Sequence, residues 1–169
     1  GFTNITQDHL DYHPDFESYF QAKAGLFARV LPESGVAVVN IDDPYGARVA
    51  EIAADRGQDL LTVGRREGAD LRLLGQRFDA TGQVVRLAWE DRIHQVRLDL
   101  IGGFQAENVA LAAGLAIGAG ADPERVLAEL AGMVTVRGRM QLAATRGNGA
   151  AVFVDYAHTP DAVATAIRA

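Results

Sequence analysis

Cysteine is absent from the 169 residues, which excludes disulfides and thiolate metal sites and fits a reducing compartment. Lysine is almost absent as well: Lys23 stands alone among 16 basic residues, all the others being arginine. Apolar residues make up 49% of the chain, yet no run reaches the roughly 18 uninterrupted apolar residues of a membrane-spanning helix. A basic excess is lacking too, and the net charge of −6 argues against a surface that tracks nucleic-acid phosphates. An initiator methionine is missing, and the sequence stops in the helical stretch PDAVATAIRA. Both suggest a piece of a longer polypeptide. The length suits one domain with a core, or one domain and a fragment of a second.

What is present concentrates first in FTNITQDHLDYHPDFESYFQAK, from Phe2 to Lys23. In an extended segment His9, Asp11 and His13 share one face, and on a helix His9 and His13 meet as an i, i+4 pair. Either arrangement could offer ligands to a divalent cation, and an exposed polar loop would read the same way. Pro14 and Asp15 open a helix of about four turns that runs to Pro32 and carries Lys23. A solitary lysine in an arginine-rich chain suggests a task for a neutral, nucleophilic amine, although a surface lysine looks identical in composition.

VAVVNID (36 to 42) reads as a buried parallel strand, with Asn40, Asp42 and Asp43 at its carboxyl end, where ligands bind in open α/β sheets. Asp42 or Asp43 could equally cap the helix expected from Pro44 to Arg56. DLLTVG (59 to 64) completes a β-α-β unit. From Asp70 to Leu100 apolar and polar residues alternate, with turn signals at Thr81-Gly82 and Glu90-Asp91-Arg92, which predicts an antiparallel three-strand meander with His94 facing solvent. An alanine-rich helix follows from Phe104 to Gly118, and another starts at Asp122-Pro123. Gln105, Glu107 and Asn108 occupy the first turn of the alanine-rich helix, within reach of a polar ligand. Ala112, Ala113 and Gly114 suit close packing on the sheet. Arg137 and Arg139 flank Gly138 in a loop suited to a phosphate. After a turn at Asn148-Gly149, a strand ending at Asp155 leads through His158 and Thr159 into a helix at Pro160.

The motifs FTNITQDHLDYH, the Lys23 helix, VVNIDD, GGFQAEN, VRGRMQ and VDYAHTPDAV, in that order, resemble the Mur ligases, ATP-dependent enzymes that add amino acids to the peptidoglycan precursor. HLDYH and DYAHTPDA are most similar to the MurE type, which adds the third residue to UDP-MurNAc-L-Ala-D-Glu. The resemblance implies an α/β fold, a mostly parallel sheet flanked by helices with a small antiparallel part. Residues 1–148 would be the later part of the central ATP-binding domain, and 149–169 the start of the carboxyl-terminal ligase domain. It implies ATP and Mg²⁺ as cofactors, with His9 and a carbamylated Lys23 as metal ligands. Asn108 would contact the adenine region, Arg139 the nucleotide and Asp155 the ribose. Gln105 stands where the family usually has asparagine. The implied substrates are the UDP-MurNAc-dipeptide and diaminopimelate or lysine, handled by a cytoplasmic monomer without nucleic-acid or membrane partners. No G-x-x-x-x-G-K-[ST] loop occurs in the chain; in the family that phosphate cradle lies upstream of the position of Gly1.

Other classes remain open from the residues. His-x-Asp-x-His resembles binuclear metal hydrolase sites, although no later His/Asp set is spaced to complete one. A non-catalytic binding module is a second alternative, and a folylpolyglutamate or cyanophycin synthetase type of ligase a third.

Overall fold

Alternation along Val36–Asn40 (β1) divides the core in two. Successive strand side chains point to opposite faces, so Ala37 and Val39 join a cluster with Phe20, Phe27 and Val49, while Val38 joins one with Leu61, Leu71 and Leu111. The computed structural model describes residues 1–6, 13–79 and 81–169.

Asp59–Gly64 (β2) runs parallel to β1, with Val36 opposite Asp59 and Asn40 opposite Val63. The crossover is Pro44–Asp55 (α2), which packs Val49 and Ala53 against the sheet. Asp43 caps it, its carboxylate accepting the Tyr45 N–H at 2.8 Å, with Pro44 in the first turn. Asp42 instead accepts the Arg65 and Arg66 N–H groups at 2.7 and 3.1 Å, tying the exit of β1 to the exit of β2. The two aspartates, equivalent in the sequence, thus do different work.

Leu71–Asp79 (β3), Gly82–Trp89 (β4) and Arg92–Leu98 (β5) form the expected meander. It is continuous with the main sheet, because the start of β3 pairs in parallel with the end of β2. The short 65–70 connection is closed by Asp70, whose carboxylate accepts the Thr62 N–H at 2.7 Å and the Thr62 hydroxyl at 2.6 Å. The order is β1-β2-β3-β4-β5, and only β4 runs against the others. Beyond β1, Phe2 makes a parallel bridge to Val39: the Phe2 N–H donates to the Val38 carbonyl at 2.8 Å, and the Asn40 N–H to the Phe2 carbonyl at 2.9 Å.

Phe104–Gly118 (α3) covers one face of the sheet, with Pro123–Glu129 (α4) beside it. An added Cβ at Gly114 would lie 2.9 to 3.1 Å from Val63, Val38 and Leu61, so Gly114, with the buried Ala113, lets α3 lie close on the strands, whereas Ala112 is exposed on the other side of the helix. Phe16–Gly25 (α1) covers the other face together with α2, and Phe20 and Phe27 are fully enclosed. Each such burial stabilises the fold by roughly 1.5–3 kcal/mol.

Two expectations need correction. The first helix is not one four-turn α-helix: α1 ends at Gly25 and a π-helical turn spans Leu26–Val30. Carbonyls that leave the i→i−4 pattern need other donors. Arg56 supplies one to Ala28 at 2.8 Å, and the Gln58 amide reaches both Phe27 and Leu31 at 2.9 Å. His94 does not face solvent. Its side chain is 18% exposed, with Nε2 3.9 Å from the Glu124 carboxylate of α4.

At the end of the chain Gln141–Thr145 (β6) pairs antiparallel with Ala151–Val154 (β7), so this hairpin spans the expected division after residue 148. Pro160–Arg168 (α5) follows, with no buried residue of its own.

Candidate functional site

A cavity of about 360 Å³ opens where the carboxyl end of β1, the first turns of α3 and the residues after β7 converge. Its volume lies within the range of small-molecule pockets. Asn108, Arg139 and Asp155, far apart in sequence, all line it. Asn40, Thr3 and Asn4 border it from the β1 side, and Phe104 and Leu111 give it an apolar wall. An amide, a guanidinium, a carboxylate and an apolar face can together receive a flat base, a sugar hydroxyl and a phosphate.

Asp155 organises one rim. One carboxylate oxygen accepts the Met140 N–H at 2.8 Å and the other the Ala157 N–H at 2.8 Å. The Tyr156 N–H donates to the Gly138 carbonyl at 2.8 Å. The Arg137-Gly138-Arg139 loop is thereby joined to the segment after β7. Gly138, at φ +73°, supplies the left-handed turn that a side chain would disfavour. Arg139 lies over the Tyr156 ring, 5.5 Å from its centre, while Arg137 is exposed and does not border the cavity.

Gln105 points elsewhere. It is buried and lines a second cavity of about 300 Å³ beneath Met133 and Val136, sharing Phe104, Asn108 and Arg139 with the first. Its Oε1 accepts the Asn108 amide at 3.4 Å, so the longer residue is connected to the first cavity through Asn108.

The start of α3 has no side-chain cap and is fixed from the sheet. The fully buried Gln83 donates from Nε2 to the carbonyls of Leu100 and Gly102 at 3.2 and 3.0 Å. Gln76 donates to the Gly103 carbonyl at 3.3 Å. Glu107, on the cavity wall, is paired with Arg65 at 3.2 Å. Sequence reasoning missed Thr3, Asn4, Tyr156 and Arg65. Arg65 is 42 residues from Glu107, and one arginine among many carries no local signal.

The Lys23 region is separate. Lys23 is exposed on the last turn of α1, its Nζ 5.4 Å from the centre of the Tyr19 ring, and the His13 ring lies 5.3 Å from the same ring. His9 and Asp11 lie outside the described residues. Among the described residues no group of three His, Cys, Asp or Glu side chains is placed to hold a metal ion. Nearby, Arg48 holds Glu17 with two hydrogen bonds of 2.7 and 2.9 Å and lies 4.1 Å from the centre of the Phe20 ring. These bonds lower the Glu17 carboxyl to about 2.

Comparison with known proteins agrees with this architecture. Residues 1–116 match the Mur ligase middle domain. The chain is 43% identical over its whole length to a UDP-N-acetylmuramoyl-L-alanyl-D-glutamate–2,6-diaminopimelate ligase of Caulobacter vibrioides, and 40% identical to the ligase of that name from Zymomonas mobilis. It spans about 35% of the length of each. A solved structure of a ligase of that name superposes with a TM-score of 0.79 at 29% identity, over 98% of this chain and 34% of that one. MurF ligase from Thermotoga maritima, solved in complex with ADP, superposes with a TM-score of 0.79 at 23% identity, over 99% of this chain and 38% of that one. With more than half of its residues matched by the family model, the chain belongs to the Mur ligase middle-domain family.

Proposed function

We propose that this chain is part of an ATP-dependent ligase that adds diaminopimelate to UDP-MurNAc-L-Ala-D-Glu in peptidoglycan precursor synthesis, with residues 1–148 in its central domain and 149–169 opening the next. The observation that carries the reading is the convergence of Asn108, Arg139 and Asp155 on one cavity. Diaminopimelate is preferred over lysine because relatives about 40% identical along the chain are named for it.

The cavity's donor set fits a nucleotide. Asn108 presents an amide to the base, Asp155 a carboxylate to the ribose hydroxyls, and Arg139 a cation to the phosphates. When bound, ATP supplies the phosphoryl group that turns the substrate carboxylate into an acyl phosphate, from which the incoming amine displaces phosphate. Phe104 and Leu111 exclude water from one side of the cavity. The chain carries no phosphate-loop sequence, so in this reading the phosphates are cradled by another part of the polypeptide.

His9 and Lys23 are assigned to a magnesium ion, with Lys23 as a carbamate. That modification requires a neutral amine and yields an anionic oxygen ligand, which suits magnesium.

The test is phosphate release by the full-length polypeptide. It should require ATP, the UDP-MurNAc-dipeptide and diaminopimelate together, with lysine at least tenfold less effective. Release that needs a folate, or that is indifferent to the dipeptide, would overturn the assignment.

A further inference from the structure

Glu107 lines the cavity proposed above as the seat of a polyanionic nucleotide, which brings a carboxylate side chain to its border. An uncompensated negative charge there would repel the ligand, and more so as water is displaced. The cation that meets it comes from the carboxyl end of the neighbouring strand β2. Arg65, in the loop leaving β2, donates from Nε to Glu107 at 3.2 Å and from its terminal nitrogen to Gln76 Oε1. Its backbone is fixed as well. The Arg65 N–H donates to Asp42 at 2.7 Å, and the Arg65 carbonyl accepts from Arg72 Nε at 3.1 Å. Gln76 also reaches the Gly103 carbonyl at 3.3 Å, just before α3 begins. Arg65 is thus held on three sides and directed at the first turn of α3, one residue before Asn108.

We propose that Arg65 is a positioning residue for nucleotide binding, which cancels the Glu107 charge and fixes that side chain beside the cavity. The role rests on the nucleotide reading above. The arrangement suits a guanidinium, because two nitrogens of one rigid fork serve Glu107 and Gln76 at once, whereas the three donors of an ammonium all radiate from a single nitrogen.

The experiment compares full-length wild type, Arg65→Ala, Arg65→Lys, Glu107→Gln and Arg65→Ala/Glu107→Gln, measuring KM for ATP and kcat separately. Arg65→Ala should raise KM for ATP at least fivefold with kcat within twofold, and Arg65→Lys should fall between it and wild type. Adding Glu107→Gln to Arg65→Ala should return KM to within twofold of wild type, because the charge needing compensation is gone. A purely structural loss would not be rescued by that second change. Should Arg65→Ala fail to fold, Arg65→Gln carries the same expectation. A KM within twofold of wild type in the arginine variant, or no recovery in the double variant, overturns the role of Arg65 alone. A wild-type enzyme without saturable ATP dependence overturns the nucleotide reading, and this proposal with it.

Discussion

The Asp155 carboxylate accepts the Met140 N–H at 2.8 Å and so joins two segments that each contribute to the cavity. Met140 is buried and sits at φ +47°, a left-handed conformation that is uncommon outside glycine. Asp155 therefore has two tasks: it presents a carboxylate to the cavity, and it holds the loop that carries Arg139.

Replacing Asp155 with alanine should separate these tasks. Hydrogen bonds to a charged acceptor contribute roughly 1.5–3 kcal/mol each, so the Met140 and Ala157 amides should exchange at least tenfold faster. KM for ATP in the full-length enzyme should rise about tenfold. Unchanged exchange would discount the clip, and unchanged KM would remove Asp155 from the nucleotide site.

Lys23 offers a chemical test. Lys23→Arg keeps the charge and the exposed position on α1 but cannot form a carbamate. The full-length variant should fold normally and lose most of its ligase activity at saturating magnesium and bicarbonate. Turnover close to wild type would return Lys23 to the role of a surface residue.

Acid should weaken the contact between α1 and α2 in a defined window. The folded-state Glu17 carboxyl is lowered to about 2 from 4.5 by its hydrogen bonds to Arg48. A depressed folded value means the contribution is present in full above 4.5 and is lost as pH falls from there through about 2. The difference in urea midpoint between wild type and Glu17→Gln should therefore be largest at pH 6 and shrink across that window. A constant difference would show that the pair does not titrate as described.

Gly46 should tolerate no side chain. A Cβ there would fall 1.9 Å from the Asn40 carbonyl oxygen, and the backbone of β1 cannot yield as a flexible side chain could. Gly46→Ala should cost about 2–3 kcal/mol, read as a lowered unfolding midpoint. It should also disturb Asn40 at the cavity edge, seen as weaker nucleotide binding.

The sequence was most legible where one segment carries its own signal. β1, β2, the meander and α3 followed from runs, alternation and turn residues, whereas Asp42 and Asp43 stayed equal candidates for the α2 cap until the structure separated them. The π turn after Gly25 was hidden because its carbonyls are satisfied by Arg56 and Gln58, which lie about 30 residues on and enter only through tertiary packing. His94 was misjudged for a similar reason: the strand pattern assigns a face, and α4 determines whether that face is covered. Asn108, Arg139 and Asp155 were singled out by family resemblance, whereas the Arg65–Glu107 pair has no motif behind it and emerges only when β2 and α3 are brought together.

The Phe2 bridge has a consequence for the cavity. The Phe2 N–H donates to the Val38 carbonyl and the Asn40 N–H to the Phe2 carbonyl, and the Phe2 side chain is buried. Thr3 and Asn4, which follow Phe2, are thereby held beside Asn40 on the cavity border. Main-chain pairing thus sets that border in register with β1.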